Sequence, residues 1–217
     1  MIFGENTSRL MLVIWALLLL AALVALALGR WSLAFVSLAT FALSLAPPVL
    51  ASRWSLRLPV PFLLATTLFF FASIFLGEAF DFYEKFWWWD LVLHAFSALG
   101  FGLIGFLFMF MLFEGDRFAA PPSAIALMSF CVAMTIGGLW EVFEYLMDQS
   151  FGLNMQKSGL DDTMGDLMID AAGGALASVA GYLYLARNYA WVIGDLLSEF
   201  IDLNRRLYRK SKNRLRK

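Results

Sequence analysis

The sequence predicts an all-α protein that crosses a membrane about six times and ends in an amphipathic basic helix. Three observations support this fold class. First, 61% of the residues are hydrophobic and only 15% are charged, whereas soluble domains have about 25% charged residues. Second, apolar runs recur along the chain, each about 20 residues long, which is enough to cross a bilayer as a helix. Third, the basic residues collect on one side of these runs.

Six apolar runs define the predicted spans. They are Leu10–Leu28, Ser32–Leu50, Val60–Phe80, Leu91–Phe113, Ser123–Met147 and Thr163–Ala186. The first run is longer than the apolar part of a signal peptide and little positive charge precedes it, so we interpret it as a span. Pro47 and Pro48 are expected to end or kink the second span. The single cysteine, Cys131, cannot form an internal disulfide and is expected to pack within its helix.

Polarity divides the chain into three regions. Residues 1–86 contain three almost purely apolar spans, which we interpret as a scaffold. Residues 87–186 contain three spans that carry nearly all the polar groups at membrane depth. Residues 187–217 form a tail with one apolar helical face and a strongly basic end. The apolar face consists of Leu196, Leu197, Phe200, Leu203 and Leu207.

The distribution of basic residues predicts the orientation. Of 16 basic residues, only Arg30, Lys85 and Lys157 lie opposite the side that holds both termini. The positive-inside rule therefore predicts that both termini are cytoplasmic. The basic tail is expected to contact anionic lipid headgroups or, alternatively, a cytoplasmic protein partner. The tryptophans at positions 87–89 are typical of an interfacial belt, with substrate stacking as the alternative. The net charge near zero indicates no nucleic-acid partner.

A polar stripe occupies the outer half of each of the last three spans. The stripes are Asp90 and His94 in the fourth span, Glu141, Glu144 and Asp148 in the fifth, and Asp162, Asp166 and Asp170 in the sixth. Their spacings place the members of each stripe on one helical face. Each stripe continues inward as small residues, which let membrane helices approach closely. We therefore predict one polar cavity that opens to the periplasmic side, with close packing beneath it.

Five of these groups lie at least one turn inside the membrane interface. They are His94, Glu141, Glu144, Asp166 and Asp170. One central Asp costs about 2.5–3.5 kcal/mol on insertion scales, so five groups that faced lipid separately would carry a large penalty. No Lys or Arg lies in these three spans, so the charge must be balanced by His94, by bound protons or by a metal ion. An oxygen-rich site suits Mg²⁺, Mn²⁺ or Ca²⁺, with Zn²⁺ or iron through His94.

The segments WDLVLHAFSALGFG, WEVFEYLMD and LDDTMGDLMIDAAGGALAS resemble the YjdF-like bacterial inner-membrane proteins. The shared features are an Asp-x-x-x-His helix, a Glu-x-x-Glu helix and an Asp-x-x-x-Asp helix followed by glycine. The matching positions are Asp90, His94, Glu141, Glu144, Asp162, Asp166, Asp170 and Gly174. The order is also similar, more distantly, to the VanZ-like proteins, which often have Asn where Asp170 stands. The resemblance implies a bacterial inner membrane and, through the VanZ-like proteins, lipid or lipid-linked envelope substrates.

Three functions stay open. The first is a metal-dependent enzyme that acts on a lipid-borne phosphate or ester. Its metal ligands would be Glu141, Glu144, Asp162, Asp166 and Asp170. His94, oriented by Asp90, would be the general base or acid, and Lys157 is the one outer-loop candidate for holding a phosphate.

The second function is a cation or proton transporter, because chains of acids and histidines inside membranes mark such paths. The inner halves of the three helices carry no acid path to the cytoplasm. The third is a subunit or assembly factor that uses the cluster structurally. It would dock through the basic tail or the tryptophan belt.

Overall fold

The computed structural model describes residues 8–113, 120–187 and 192–205. All regular structure in these ranges is helical, and they contain no strand. The helices are α1 (Arg9–Ala27), α2 (Trp31–Arg53), α3 (Val60–Phe70), α4 (Phe82–Lys85), α5 (Trp89–Phe113), α6 (Pro122–Phe151), α7 (Leu160–Arg187) and α8 (Val192–Leu203). A π-helix over Phe71–Ala79 follows α3 directly.

Within the described ranges, six helical segments are long and apolar enough to cross a membrane. They are Arg9–Ala27, Trp31–Arg53, Val60–Ala79, Trp89–Phe113, Pro122–Phe151 and Leu160–Ala186. This confirms the predicted fold class, a polytopic all-α membrane protein. Large apolar side chains such as Leu23 and Phe35 are exposed, as expected where lipid replaces water as the solvent. The orientation stays a prediction, and most of the basic tail lies outside the described residues.

The prolines in α2 do not end the helix, which continues beyond Pro47 and Pro48 to Arg53. A proline removes one N–H donor from a helix, but membrane helices tolerate this loss where nearby side chains satisfy the backbone. Pro47 and Pro48 leave the Leu43 and Ser44 carbonyls without their usual donors, whereas the Ser44 hydroxyl donates to the Phe41 carbonyl at 2.7 Å and accepts from Trp15 Nε1 at 2.9 Å, a contact that joins α1 to α2. The second span therefore does not end at the prolines, and the alternative that they kink it stays a prediction.

The described residues form two compact units. The first contains residues 8–89 and Ser198–Arg205, and the second contains the described residues within Asp90–Leu197. The first unit has two apolar clusters. They are Met11, Trp15 and Leu63, and Ile14, Leu18 and Phe75. The predicted division at residues 86 and 186 stays a prediction.

Side-chain contacts also fix two loops of the first unit. Asn204 accepts a hydrogen bond from the Arg57 N–H and donates one to the Arg57 carbonyl, both at 2.8 Å. Around α4, the rings of Phe82 and Trp89 lie 4.9 Å apart, and those of Trp88 and Trp89 lie 5.7 Å apart. Trp87 is 83% exposed. The tryptophans thus comprise one exposed ring beside a packed cluster, and their role as an interfacial belt stays a prediction.

Small residues bring α5, α6 and α7 close together in the second unit. A Cβ at Gly102 would lie 2.5 Å from the Ala177 Cβ, and one at Gly173 would lie 2.7 Å from the Ala95 carbonyl oxygen. Both distances are too short for a larger residue, which confirms the predicted close packing along the stripes. An apolar cluster completes this core. Its members are Leu103, Phe106, Ile125, Ala177 and Leu197.

One surface feature, the position of Cys131, differs from the prediction. Another, the amphipathic tail, is only partly within the described residues. Cys131 is exposed on α6 rather than packed, because it lies two residues from the buried Ser129 and Ala133 and therefore on the opposite side of the helix. The α8 helix is amphipathic, with Leu197 buried and Glu199 exposed. Leu207 and the basic end after residue 205 lie outside the described residues.

Candidate functional site

His94 lies at the centre of a cluster formed by the first turns of α5, the first turns of α7 and the last turns of α6. Its Nδ1 atom lies 3.3 Å from both carboxylate oxygens of Asp170 on α7. Its Nε2 atom lies 3.7 Å from Glu141 Oε1 on α6 and 4.0 Å from Asp90 Oδ1 on its own helix. One imidazole thus contacts an acid from each of the three helices.

The predicted deep groups are all buried. Their exposed fractions are 6% for His94, 4% for Glu141, 5% for Glu144, 1% for Asp166 and 0% for Asp170. The side chain of Asp90 is 22% exposed, so it is the more open acid beside His94. The structure therefore brings together residues of three separate helices that the sequence predicted to share one site. Their catalytic and ligand roles stay predictions.

Several buried oxygens in this cluster lack a hydrogen-bond donor. Within the described part of the chain, neither oxygen of Glu141, Oε2 of Glu144 nor Oδ2 of Asp166 has a hydrogen-bond partner. The Thr163 hydroxyl lies near Glu141 and accepts a hydrogen bond from Gln156 Nε2 at 2.6 Å. A buried polar group without a partner costs about 1–3 kcal/mol, and a charged group costs more. Bound protons or a cation would remove this cost.

Three side chains have the spacing of metal ligands. Asp90, His94 and Asp166 each offer one ligand atom, and these atoms all lie within 4.8 Å of one another. Two carboxylates and an imidazole suit Zn²⁺, Mn²⁺ or iron more than Ca²⁺, which prefers six to eight oxygens. Asp90 and His94 were predicted as catalytic residues, so the geometry gives them a second candidate role. Which residues hold an ion stays a prediction.

A tryptophan that the sequence did not single out orients one of the acids. Trp140 Nε1 donates a hydrogen bond to Glu144 Oε1 at 2.9 Å. The indole also packs against Phe143, with ring centroids 5.3 Å apart. The spacing of four residues between Trp140 and Glu144 was the available signal, since such residues are neighbours on a helix.

Asp148 and Asp162, at the outer ends of their stripes, bind the backbone of the loop between α6 and α7. Asp148 accepts hydrogen bonds from the N–H groups of Met155 at 2.7 Å and Gln156 at 2.9 Å. Asp162 Oδ2 accepts from the N–H of Lys157 at 3.1 Å. Residues 152–159, which connect α6 to α7, are named the α6–α7 loop below. The role of Asp162 as a metal ligand stays a prediction, and in the structure it binds the loop backbone.

Gly137 leaves the space that Asp170 occupies. A Cβ on Gly137 would overlap the Asp170 carboxylate. Asp170 is fully buried and is also the acid nearest to His94. The absence of a side chain on α6 therefore lets a carboxylate of α7 reach the imidazole of α5.

Comparison with known proteins shows which sequences this chain resembles. A family described as predicted membrane protein (DUF2238) matches residues 9–187. An uncharacterized protein from Thermotoga maritima is 34% identical over 112 residues, which cover 50% of this chain and 57% of that relative. The chain thus spans little more than half the length of this curated relative. No solved structure matches the chain.

Proposed function

We infer that this chain, which belongs to the DUF2238 family of predicted membrane proteins, binds a divalent cation among the acids of α5, α6 and α7. With this cation it hydrolyses or transfers a phosphate or ester group carried by a lipid. The positive-inside rule supports an orientation in which both termini are cytoplasmic and the site faces the periplasm. The resemblance to YjdF-like proteins supports a bacterial inner membrane, and the resemblance to VanZ-like proteins supports an envelope lipid as substrate.

The burial of Glu141 carries this proposal. This side chain is 4% exposed, and neither of its oxygens has a hydrogen-bond partner in the described ranges. No Lys or Arg occurs along α5 and α6 or from Leu160 to Ala186. A buried carboxylate without a partner is strongly unfavourable, and a divalent ion would compensate several carboxylates at once. Carboxylate oxygens without the imidazole form a ligand set for Mg²⁺ or Mn²⁺.

His94 is the proposed general acid or base. Its Nδ1 is within hydrogen-bond distance of Asp170 at 3.3 Å, whereas Asp90 lies 4.0 Å from Nε2. A carboxylate that accepts a hydrogen bond from one ring nitrogen fixes the tautomer and leaves the other nitrogen for proton transfer. We therefore propose Asp170 as the orienting residue, in addition to Asp90, which the sequence suggested.

The close packing of the small residues that lie deeper in the membrane than the cluster supports an enzyme more than a transporter. Gly102 and Ala177 approach too closely for any added side chain, and so do Gly173 and Ala95. A transport path needs polar groups that continue across the membrane. The glycines and alanines along these faces supply no ionisable group and little space, and the buried Ser129 hydroxyl is bonded to the Gly102 carbonyl at 2.7 Å.

Thermal unfolding tests the proposed ion site. The detergent-purified protein is melted with a chelator and then with Mg²⁺, Mn²⁺, Ca²⁺ or Zn²⁺. An ion that binds only the folded state raises its stability by about 2.7 kcal/mol at a hundredfold excess over Kd. We expect at least one ion to raise the midpoint of the wild type. This rise should shrink in Glu141→Gln and Asp170→Asn.

A matched substitution outside the cluster is Glu199→Gln, at an exposed position on α8. This variant should keep the full rise. The proposal fails if no ion shifts the wild-type midpoint, and greater stability of both Glu141→Gln and Asp170→Asn than of the wild type at neutral pH would give the reason. The carboxylates would then only repel one another, and a proton-handling or structural role would replace the metal site.

A further inference from the structure

A cleft in the first unit lies between the turn that joins α1 to α2 and the end of the π-helix. Its volume is about 540 Å³. Gly29 and residues at the start of α2 line one side, and Glu78 and Ala79 of the π-helix line the other. None of these residues belongs to the acidic cluster, which lies in the second unit. The proposed function therefore makes no use of this cleft.

The inner part of the cleft is apolar. Leu33, Val36 and Ala79 line it and are half-buried. The same three residues pack against the buried apolar cluster that contains Leu18, so their position is fixed by the core of the first unit. Apolar surface at a fixed position favours a ligand that carries an apolar portion of its own.

The rim of the cleft carries two opposite charges. Arg30 and Glu78 both line the cleft and are both exposed. The Arg30 backbone is already bonded, since its N–H donates to the Ala25 carbonyl at 2.8 Å and its carbonyl accepts from the Ala34 N–H at 3.0 Å. The polar group that Arg30 can offer to a ligand is therefore its guanidinium. Among the described residues, neither this guanidinium nor the Glu78 carboxylate has a hydrogen bond or an ion pair.

We propose that this cleft binds the headgroup of phosphatidylethanolamine, a lipid whose phosphate lies next to a primary ammonium. Opposite charges that line one cleft without bonding each other are complementary to a ligand that carries both charges. The Arg30 guanidinium would donate paired hydrogen bonds to the phosphate, and the ammonium would donate to Glu78. The glycerol and the first methylenes would contact the apolar inner part. Trp31 also lines the cleft and is 72% exposed, as is common for tryptophans at headgroup level.

The two charges predict a selectivity among phospholipids. Phosphatidylcholine has the same phosphate, but its ammonium is fully methylated and cannot donate a hydrogen bond to Glu78. Phosphatidylglycerol has no ammonium, and Glu78 would repel its net negative charge. Arg30 would attract the phosphate of all three lipids. The preference for phosphatidylethanolamine therefore depends on Glu78, and the general affinity for phospholipid depends on Arg30.

Native mass spectrometry of the detergent-purified full chain measures this selectivity. The chain is titrated with the dioleoyl forms of the three lipids, which have the same acyl chains and differ only in the headgroup. Free phosphoethanolamine is added as a competitor, to separate recognition of a lipid from recognition of the soluble group. We expect the first phosphatidylethanolamine to bind with an apparent Kd about fivefold lower than that of the other two lipids. The factor is modest because ionic contacts at exposed positions are partly screened.

Substitutions then assign the two charges. Glu78→Gln should remove the preference, whereas Glu78→Asp should keep most of it. Arg30→Gln should weaken the binding of all three lipids about fivefold. The matched controls are Arg53→Gln, at the exposed last residue of α2, and Glu199→Gln, at an exposed position on α8. Both controls should keep the wild-type Kd values, and the comparison of lipids on the wild type does not depend on any variant.

Three results would overturn the proposal. The first is equal binding of the three lipids to the wild type, or tightest binding of phosphatidylglycerol. The second is a preference for phosphatidylethanolamine that persists in Glu78→Gln. The third is displacement of the lipid by an equimolar amount of free phosphoethanolamine, which would identify the soluble group as the ligand. Since no divalent ion is added, these results are independent of the proposed ion site.

Discussion

At the scale of single residues, Gly137 is the position where one added methyl group should prevent the acidic cluster from binding a divalent ion. Its Cβ would overlap the Asp170 carboxylate, and overpacking a buried site costs about 1–3 kcal/mol. We expect Gly137→Ala to lower the melting midpoint and to remove the stabilisation by divalent ions. Thermal unfolding with and without the ion measures both effects.

The neighbouring glycine supplies the control. A Cβ on Gly138 would meet no atom within 4 Å, so Gly138→Ala should change only the helix propensity. Alanine in a helix is favoured over glycine by about 0.5–1 kcal/mol, and the midpoint should stay equal or rise slightly. If both variants kept the wild-type response to the ion, α6 would be able to move away from Asp170. The role of Gly137 would then be refuted.

The sequence identified the members of the cluster but not their partners. His94, Glu141 and Asp170 could be found because charged groups at membrane depth are costly and therefore rare. The contact of His94 with Asp170, at 3.3 Å, could not be derived in this way. Spacing along one helix does not determine which atoms of a neighbouring helix lie opposite. The bond from Trp140 to Glu144 was missed because an exposed Trp in a membrane helix is commonly an interfacial residue.

At the scale of elements, the α6–α7 loop should depend on Asp148. This carboxylate accepts two backbone hydrogen bonds, at 2.7 and 2.9 Å. A hydrogen bond to a charged group contributes about 1.5–3 kcal/mol, and because Asp148 is only part-buried its two bonds together are worth less than twice that, so Asp148→Ala should destabilise the loop by about 1–3 kcal/mol. Hydrogen exchange at the amides of Met155 and Gln156 should accelerate, and mass spectrometry of the loop peptide would measure it.

Asp161→Ala is the corresponding control, because Asp161 is an exposed acid beside Asp162, and the loop N–H groups of Met155, Gln156 and Lys157 bind Asp148 and Asp162 instead. Exchange in the loop should be unchanged in this variant. Equal exchange rates in Asp148→Ala and the wild type would contradict the assigned role. The loop would then be held by Asp162 and Gln156 alone.

The membrane spans were predicted well because apolar length determines them. The segments in which side chains bind the backbone were predicted less well. The six spans follow from apolar length, and the structure extends the fifth from Ser123–Met147 to Pro122–Phe151. The α2 helix continues past Pro47 and Pro48, although proline usually ends helices in water. Asp148 and Asp162 fitted their polar stripes by periodicity, yet they bind loop N–H groups. Periodicity describes a helical face and carries no information about the loop that folds against its end.

At the scale of the whole molecule, the orientation is the open prediction. Cys131 is first replaced by serine, and single cysteines are then introduced at Ser158 or at Ser55, which lie in loops on opposite predicted sides. In intact cells, a membrane-impermeant thiol reagent should label Ser158→Cys from outside. It should label Ser55→Cys only after permeabilisation. The reverse pattern would place both termini outside and would overturn the periplasmic assignment of the site.

The length of α6 has a consequence for which part of a lipid its acids can reach. Its 30 residues extend about 45 Å at 1.5 Å per residue, whereas the hydrocarbon layer of a bilayer is about 30 Å thick. Glu141 follows Pro122 by 19 residues (141 − 122), or about 28 Å along the axis. If α6 enters the hydrocarbon at its first turn, Glu141 arrives near the opposite boundary, at the depth of glycerol and headgroups and less deep than the full turn inside the interface that the sequence predicted. A thicker bilayer would create a hydrophobic mismatch, so acyl-chain length would decide which lipid atoms lie opposite Glu141.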